Sequence, residues 1–445
     1  MWLRILFLTI VSGFPTGILL AQDTTQHSSL QWDLETCLAY ARRNNIQLNT
    51  LRLDRRLTEQ DLYQSRAARL PSLSGSISQS MVNSSETDPV VGGFQTQASY
   101  SANYGLNSQL VISQGGFINK DIKQRGLLLE SAGLSVREAQ NDITLQITQA
   151  YLNILLAKEN ISYLQDLVTT SQAQLQIGKQ RYDAGSIAKK DYLTLESQYA
   201  NDQYNLVTAR NTYRQNIITL KQILQLSSSV TFDVVVPDTL MVQQAVPNLE
   251  TAVSAAMQSR PEIKNSELGI QIAELDLAKA RSGYWPTISL GAGLSSGYSD
   301  NRDLKYFDQL NNNFFQRLGL NVGIPIFTNR VNRTNVERSK ILIDQAKLAA
   351  KDTRTTLDLA IEQAYVNVLN AQAQFTAADV QWRANQETYR IANEELRLGS
   401  VNTLDLLQQK LLYVQALQAY TQAKYAAVLN SKIYDFYTGV PITLK

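Results

Sequence analysis

Residues 143–168, ITLQITQAYLNILLAKENISYLQDLV, place apolar side chains at an unbroken four-three spacing. The seam consists of Ile143, Ile147, Ala150, Ile154, Ala157, Ile161, Leu164 and Val168. An average period of 3.5 residues is that of the a and d positions of a coiled coil. No proline lies between residues 120 and 183, so the pattern predicts one continuous helix there. Such a helix would be about 100 Å long, which is far more than an ordinary globular domain needs.

The same pattern of residues occurs a second time, 214 or 215 residues later. Residues 357–382, LDLAIEQAYVNVLNAQAQFTAADVQW, repeat the seam and predict a second long helix from about 332 to 398. Each copy also begins with helical spacing, from Asp33 to about Ala68 in the first. We therefore expect two structural repeats, at 22–226 and 248–445, with a proline-containing linker at 227–247.

Each copy contains two segments in which apolar and polar residues alternate. These segments predict a strand pair at about 72–82 and 98–113, and a second pair at about 287–298 and 314–327. One face is apolar with aromatic residues near the strand ends, and the other consists of Ser, Gly and Asn. Alternation alone fits both a soluble sandwich and a membrane barrel, but the small polar face and terminal aromatics favour the barrel.

The amino terminus resembles an export signal. Met1 to Arg4 lead into an apolar run that is too short and too interrupted to span a membrane, and it predicts a signal peptide at residues 1–21 cleaved after Ala21. No later stretch reaches the roughly 20 apolar residues of a transmembrane helix. Four strands cannot close a barrel, so closure would require other chains, and a trimer with twelve strands would leave an open lumen.

Composition excludes several kinds of site. The net charge is +2 and basic residues are scattered, which argues against nucleic acid as a partner. The single cysteine, Cys37, allows no intramolecular disulfide, and the single histidine, His27, lies in the polar leader. No phosphate-binding loop or nucleophile elbow occurs. We expect no catalytic residues, no cofactor and no bound metal.

The duplicated strand pairs, the long helices and the turn at 181–186, Arg-Tyr-x-x-Gly-Ser, with Asp191 six residues after the glycine, resemble the TolC family of outer-membrane efflux proteins. The resemblance covers residues from about 30 to 440 and includes Arg260-Pro261-Glu262. It implies a mixed α and β membrane protein. Its trimer would form a 12-stranded β-barrel in outer-membrane lipid, continued by an α-helical tunnel in the periplasm. It also implies a periplasmic adaptor protein as partner and, through the adaptor, an inner-membrane pump.

The resemblance also assigns roles to the two turns where the long helices reverse. Gly185, Ser186, Gly399 and Ser400 would form the adaptor-docking turns, although glycine there is also the ordinary helix C-cap. Asp191 and Asp405 would line the periplasmic aperture, although an acidic residue in a first helical turn also has a purely structural explanation.

The chain departs from the family at other aperture positions. Gln408 stands where some members have a second aspartate. Leu396 and Val401 stand at the latch positions of the best-known member, so its closing network is not carried over.

The expected function is that of a passive outer-membrane channel in a tripartite export system, with multidrug or small-molecule efflux favoured as its task. One alternative is the outlet of a type I protein secretion system, which uses the same fold. An alternative of another class is a periplasmic coiled-coil scaffold with no pore.

Overall fold

The computed structural model describes residues 30–87, 94–237, 240, 242, 246–398, 400–440 and 442. The predicted signal peptide lies outside the described residues. The first repeat contains β1 (Leu30–Trp32), α1 (Leu34–Asn44), α2 (Ile46–Ala67), β2 (Ser72–Thr87), β3 (Phe94–Gln114), α3 (Phe117–Asp183) and α4 (Lys189–Leu224). After β4 (Phe232–Val234), the second contains α5 (Leu249–Ser259), α6 (Pro261–Ser282), β5 (Thr287–Ser299), α7 (Tyr306–Asn312), β6 (Phe315–Gly323), α8 (Val331–Leu398) and α9 (Thr403–Tyr437).

The two long helices agree with the predicted spans. The helices α3 and α8 contain 67 and 68 residues, so each is about 100 Å long. Seam residues such as Ile147 and Ile154 in α3, and Ile361 and Val368 in α8, are buried. The prediction of two uninterrupted rods is confirmed, because the apolar stripe gives each helix a continuous surface on which its neighbours pack.

Four strands form one antiparallel sheet in the order β2-β3-β5-β6. Paired residues lie on the same face, and the row Leu110, Leu290, Leu320 shows that apolar positions of different strands coincide. The alternating pattern therefore produces one apolar and one polar face across the whole sheet.

The last strand is shorter than the pattern predicts, and a short helix precedes it. The ladder of β6 ends at Gly323, although alternation continues to about residue 327. Pro325 has no N–H to donate, which ends the ladder. The segment between β5 and β6 contains the short helix α7.

The first helical segment is interrupted, which corrects the prediction of one helix from Asp33 to about Ala68. Asp33 caps α1 by accepting a hydrogen bond from the Thr36 N–H at 2.8 Å. Asn45, however, has extended backbone and caps a new helix by accepting from the Leu48 N–H at 3.1 Å. Its equivalent in the second repeat is Arg260, which precedes Pro261. A residue before proline avoids helical geometry, which explains the break at Arg260, whereas the side-chain cap of Asn45 marks the equivalent break in the first repeat.

The two strand-to-rod junctions have the same unusual backbone. Gly115 and Gly116 have φ of 58° and 76°, and their equivalents Asn329 and Arg330 have φ of 46° and 66°. The left-handed region suits glycine and disfavours a residue with a Cβ atom. The second junction therefore holds in non-glycine residues a turn that the first makes with glycines.

We expect the substitution Arg330→Gly to stabilise the protein by about 0.5–1 kcal/mol, since relief of backbone strain exceeds the added entropy of the unfolded chain. Gly116→Ala is the matched opposite change, because a Cβ atom there would meet nothing closer than Lys120 Cε at 3.7 Å. Thermal unfolding of the purified protein should show a higher Tm for the first variant and a lower Tm for the second. Equal shifts in one direction would contradict the strain assignment.

The segment between the repeats packs against the middle of α3 and against the later part of α4. Its strand β4 pairs in parallel with β1. Asp233 accepts hydrogen bonds from Tyr213 Oη at 2.6 Å and Lys158 Nζ at 2.8 Å. Burial alone would raise the pKa of Asp233, but these two donors outweigh burial and lower it. Tyr151 Oη donates to the Val235 carbonyl at 2.6 Å, so the segment is fixed to α3 and α4.

Within the part of the chain that the structure describes, no helix is both long enough and apolar enough to cross a bilayer.

Candidate functional site

The first of the two turns connects α3 to α4 and forms a helix C-cap at the end of α3. Gly185 has φ of 72°, and the Ser186 N–H and Oγ both donate to the Arg181 carbonyl at 2.8 Å. The bond from residue C″ back to C3 is the Schellman arrangement. Tyr182 and Tyr192 stack across the turn with ring centroids 5.6 Å apart. Gly185 and Ser186 thus lie together on an exposed, rigid tip.

The second turn, at the end of α8, repeats the bonding of the first. The Ser400 N–H and Oγ donate to the Glu395 carbonyl at 2.9 and 3.0 Å. The spacing from donor to acceptor is the same five residues as between Ser186 and Arg181. Gly399 itself lies outside the described residues. The two serines therefore occupy equivalent positions on two equivalent tips.

The two tips lie side by side, and a surface pocket separates them. Arg181, Lys190 and Asp191 line it from the first tip, and Leu396, Asn402 and Thr403 line it from the second. Asp191 is half-buried there, in the first turn of α4. An acidic residue in the first turn of a helix interacts favourably with the helix dipole.

Asp405 is placed differently from Asp191. It is exposed in the first turn of α9, and its backbone N–H donates to the side chain of the N-cap residue Asn402 at 2.9 Å. It is not among the residues that line the pocket containing Asp191. Within one chain, the structure therefore does not bring the two predicted aperture residues together in this pocket.

A buried ion pair that the sequence patterns do not predict joins the two helical hairpins. Lys410 Nζ of α9 lies 2.8 Å from Asp202 Oδ2 of α4, and both side chains are 2 % exposed. Gln198 donates to the other oxygen of Asp202 at 2.8 Å. Each charged residue lies four residues from a buried leucine of its own helix, Asp202 from Leu206 and Lys410 from Leu406, and so occupies a seam position of that helix. Opposite charges at seam positions of two helices were the available signal.

A model of the outer membrane efflux protein family matches residues 38–225 and 252–432. The chain belongs to this family. The matched segments fall one in each repeat, on either side of the residues from β4 to the start of α5.

Similar proteins span most of the chain at low identity. The outer membrane efflux protein BepC of Brucella suis is 21 % identical over 412 residues, which cover 92 % of this chain and 85 % of BepC. The outer membrane protein TolC of Vibrio cholerae is 22 % identical over 415 residues, which cover 91 % and 90 % of the two chains. The crystal structure of CusC superposes with a TM-score of 0.79 at 18 % identity, covering 93 % of this chain and 94 % of CusC. The solved structure of CusC therefore supports the fold of this chain.

Proposed function

We propose that this efflux-family protein is the outer-membrane channel of a tripartite export system, built as a trimer. It is a passive duct with no catalytic reaction of its own. The observation that carries the proposal is the way the two repeats meet inside one chain. For each contact that the first repeat makes with the second, the equivalent contact of the second repeat with a first repeat would have to be made with another copy of the chain.

The sheet has two such surfaces. The strand β3 of the first repeat pairs with β5 of the second. The equivalent junction would join β6 to β2 of another copy, and both are edge strands. Unpaired edges in lipid cost several kcal/mol for each backbone group, so a second chain at each edge is required there.

The helices also make contacts between the repeats, and the equivalent contacts would join neighbouring copies. The helix α3 packs on α6 and α9 of the second repeat, as well as on α2 and α4 of its own. The helix α8 packs on its own α6 and α9. Its equivalent neighbours from the first repeat would be α2 and α4 of the next copy. Exposed apolar side chains on α8 and α4 support this packing, including Leu348, Leu359, Val380, Tyr204 and Ile218.

Repetition of the junction produces a head-to-tail ring, and strand number selects its size. Two copies would give eight strands, a barrel normally filled by side chains, whereas three copies would give twelve strands and an open lumen. The inner face supports the wider barrel, because it carries small residues such as Gly291, Gly293 and Gly297. Leu318, Leu320 and Val322 are exposed on the opposite face, which would meet outer-membrane lipid.

With the apolar sheet face in outer-membrane lipid, the positions of the other segments in the assembly follow. The repeats at 22–226 and 248–445 would alternate around the ring after removal of the signal peptide at 1–21, with 227–247 between them. The helices would form a periplasmic tunnel. Gly185, Ser186, Gly399 and Ser400 would meet the adaptor protein, which connects the duct to an inner-membrane pump. Efflux is favoured over protein secretion by membership in the efflux family, and the exposed apolar sheet face argues against a soluble scaffold.

Conductance tests the duct and the aperture together. We expect the purified protein in a planar bilayer to give a small, cation-selective conductance, because carboxylates around a pore attract cations. The variant Asp191→Asn/Asp405→Asn should lose selectivity. The control variant Asp183→Asn, which changes the last residue of α3, should retain it. Unchanged selectivity in the double variant would remove the aperture role and leave the duct. A folded, inserted protein without conductance would overturn the duct.

A further inference from the structure

The segment between β5 and β6 does not extend away from the sheet. Tyr306 Oη of α7 lies 2.6 Å from Tyr104 Oη of β3, and its ring lies 5.0 Å from that of Tyr298. Ser296 Oγ also bonds the Leu310 carbonyl. Tyr104, Ser296 and Tyr298 all belong to the apolar face, since Tyr104 pairs with Ile77 and Ser296. The segment is therefore folded over the apolar face.

The fold of this segment is fixed by hydrogen bonds. Gln309 is 1 % exposed and bonds three backbone groups, the Ser299 N–H and the carbonyls of Arg302 and Leu304. Asn313 donates to the Gly297 carbonyl at 2.6 Å. A polar side chain buried with this many partners holds one conformation. The position of α7 is thus built into the chain.

The apolar surface continues from the sheet onto this segment. Ala102, next to Tyr298, is 1 % exposed, whereas Leu106 below it is 41 % exposed. Phe307 and Leu304 on the outside of the segment are 79 % and 50 % exposed. Cover by α7 therefore ends where the exposed apolar face begins, and Phe307 extends that face outward.

The height of α7 on the sheet can be estimated from the strand. Ten residues separate Tyr104 from Gln114 at the end of β3. With a rise of about 3.4 Å per residue and a tilt of about 40°, this distance is roughly 26 Å along a barrel axis. The apolar band of an outer-membrane barrel is about 25 Å tall and is bordered by aromatic residues. With the lower border of this band placed at Gln114, where β3 meets α3, Tyr104, Tyr298, Tyr306 and Phe307 lie at its upper border.

We infer that α7 is an interfacial anchor, which lies on the outer wall of the barrel and contacts the outer leaflet of the membrane. Phe307 and Leu304 meet acyl chains, while Asp308, Asn311 and Asn312 lie among head groups. The acidic and basic residues from 300 to 312 nearly balance, so the contact is with the lipid interface and not with a charged ligand. This inference rests on the proposed function, because it requires the apolar face to meet lipid.

Spin labels in vesicles of phosphatidylcholine test the inference. Cysteine is introduced singly at Phe307, with Leu304→Cys as a second site in case the first variant does not fold. Ile77→Cys and Ser78→Cys are the controls, since these neighbours lie on opposite faces at the height of Tyr104. The native Cys37 is 0 % exposed, and burial raises the pKa of its thiol to about 12, so the wild type should take no label.

Collision rates with oxygen, which enters lipid, and with a water-soluble nickel chelate then report the environment. We expect the labels at positions 307 and 77 to favour oxygen, and the label at 78 to favour nickel. If position 77 favours oxygen but 307 and 304 both resemble 78, the anchor is wrong and the duct is unaffected. If position 77 also favours nickel, the apolar face does not meet lipid, and the proposed function fails together with the anchor.

Discussion

The substitution Leu320→Arg is expected to abolish assembly in the outer membrane. Leu320 is 63 % exposed on β6 and aligns with Leu290 and Leu110. Leu110 lies four residues before the end of β3, or about 10 Å along a tilted strand, which is near the middle of an apolar band about 25 Å tall. Arginine at the midplane costs about 2–4 kcal/mol, hence roughly 6–12 kcal/mol for the three copies of the proposed trimer.

The neighbouring residue provides the control. Asn321 lies on the polar face, which already carries an arginine at position 317. Asn321→Arg should therefore reach the outer membrane at the wild-type level. The measurement is the amount of each variant in outer membranes separated by density. Normal assembly of Leu320→Arg would show that this face does not meet lipid, and failure of Asn321→Arg alone would show that the two faces are reversed.

The second large effect concerns the buried ion pair between the hairpins. Lys410→Met would leave the buried Asp202 without its cation. Removal of one partner of such a pair typically costs about 3–5 kcal/mol. Gln198 still donates to Asp202 in this variant, so we expect the lower end of that range. Chemical denaturation should show a clearly reduced midpoint with an unchanged slope.

The double variant Lys410→Met/Asp202→Leu separates the charge effect from packing. Two apolar residues avoid the desolvation of both ions, so the double variant should be about as stable as the wild type or more stable. The coupling between the two substitutions should then be large. Additive losses in the double variant would mean that packing, and not the pairing of charges, holds α4 against α9 at this point.

Most of the fold could be predicted because its signals are periodic and occur twice. A heptad seam over more than six turns leaves little choice of structure, and the period-2 segments between Pro71 and the long helix leave little choice for the sheet. The break at Asn45 was missed because its side-chain cap replaces the proline that marks the equivalent break at Pro261. Comparison of the two copies would have revealed it.

Features that depend on contacts between distant residues could not be predicted. Nothing periodic marks α7, which is only seven residues long and is held by the buried side chain of Gln309. The pairing of Lys410 with Asp202 depends on which helices become neighbours. The tip residues Ser186 and Ser400 were found because each repeat carries the same turn, but their exposure gives no chemical signal for a partner. Their role in docking stays a prediction.

Cysteine cross-linking tests most directly the claim that the internal junction is repeated between copies. Asn107 pairs with Gly293 inside the chain. Their repeat equivalents are Asn321 and Ser78, so these residues should face each other across the β6–β2 edge, with Cβ atoms about 5 Å apart. The variant Asn321→Cys/Ser78→Cys, treated in outer membranes with a short thiol cross-linker, should give covalent products of up to three chains and none larger. Asn321→Cys/Gln79→Cys places the second thiol on the opposite face and should give monomer. Products that stop at two chains, continue beyond three, or form only with the control pair would contradict the closed ring of three.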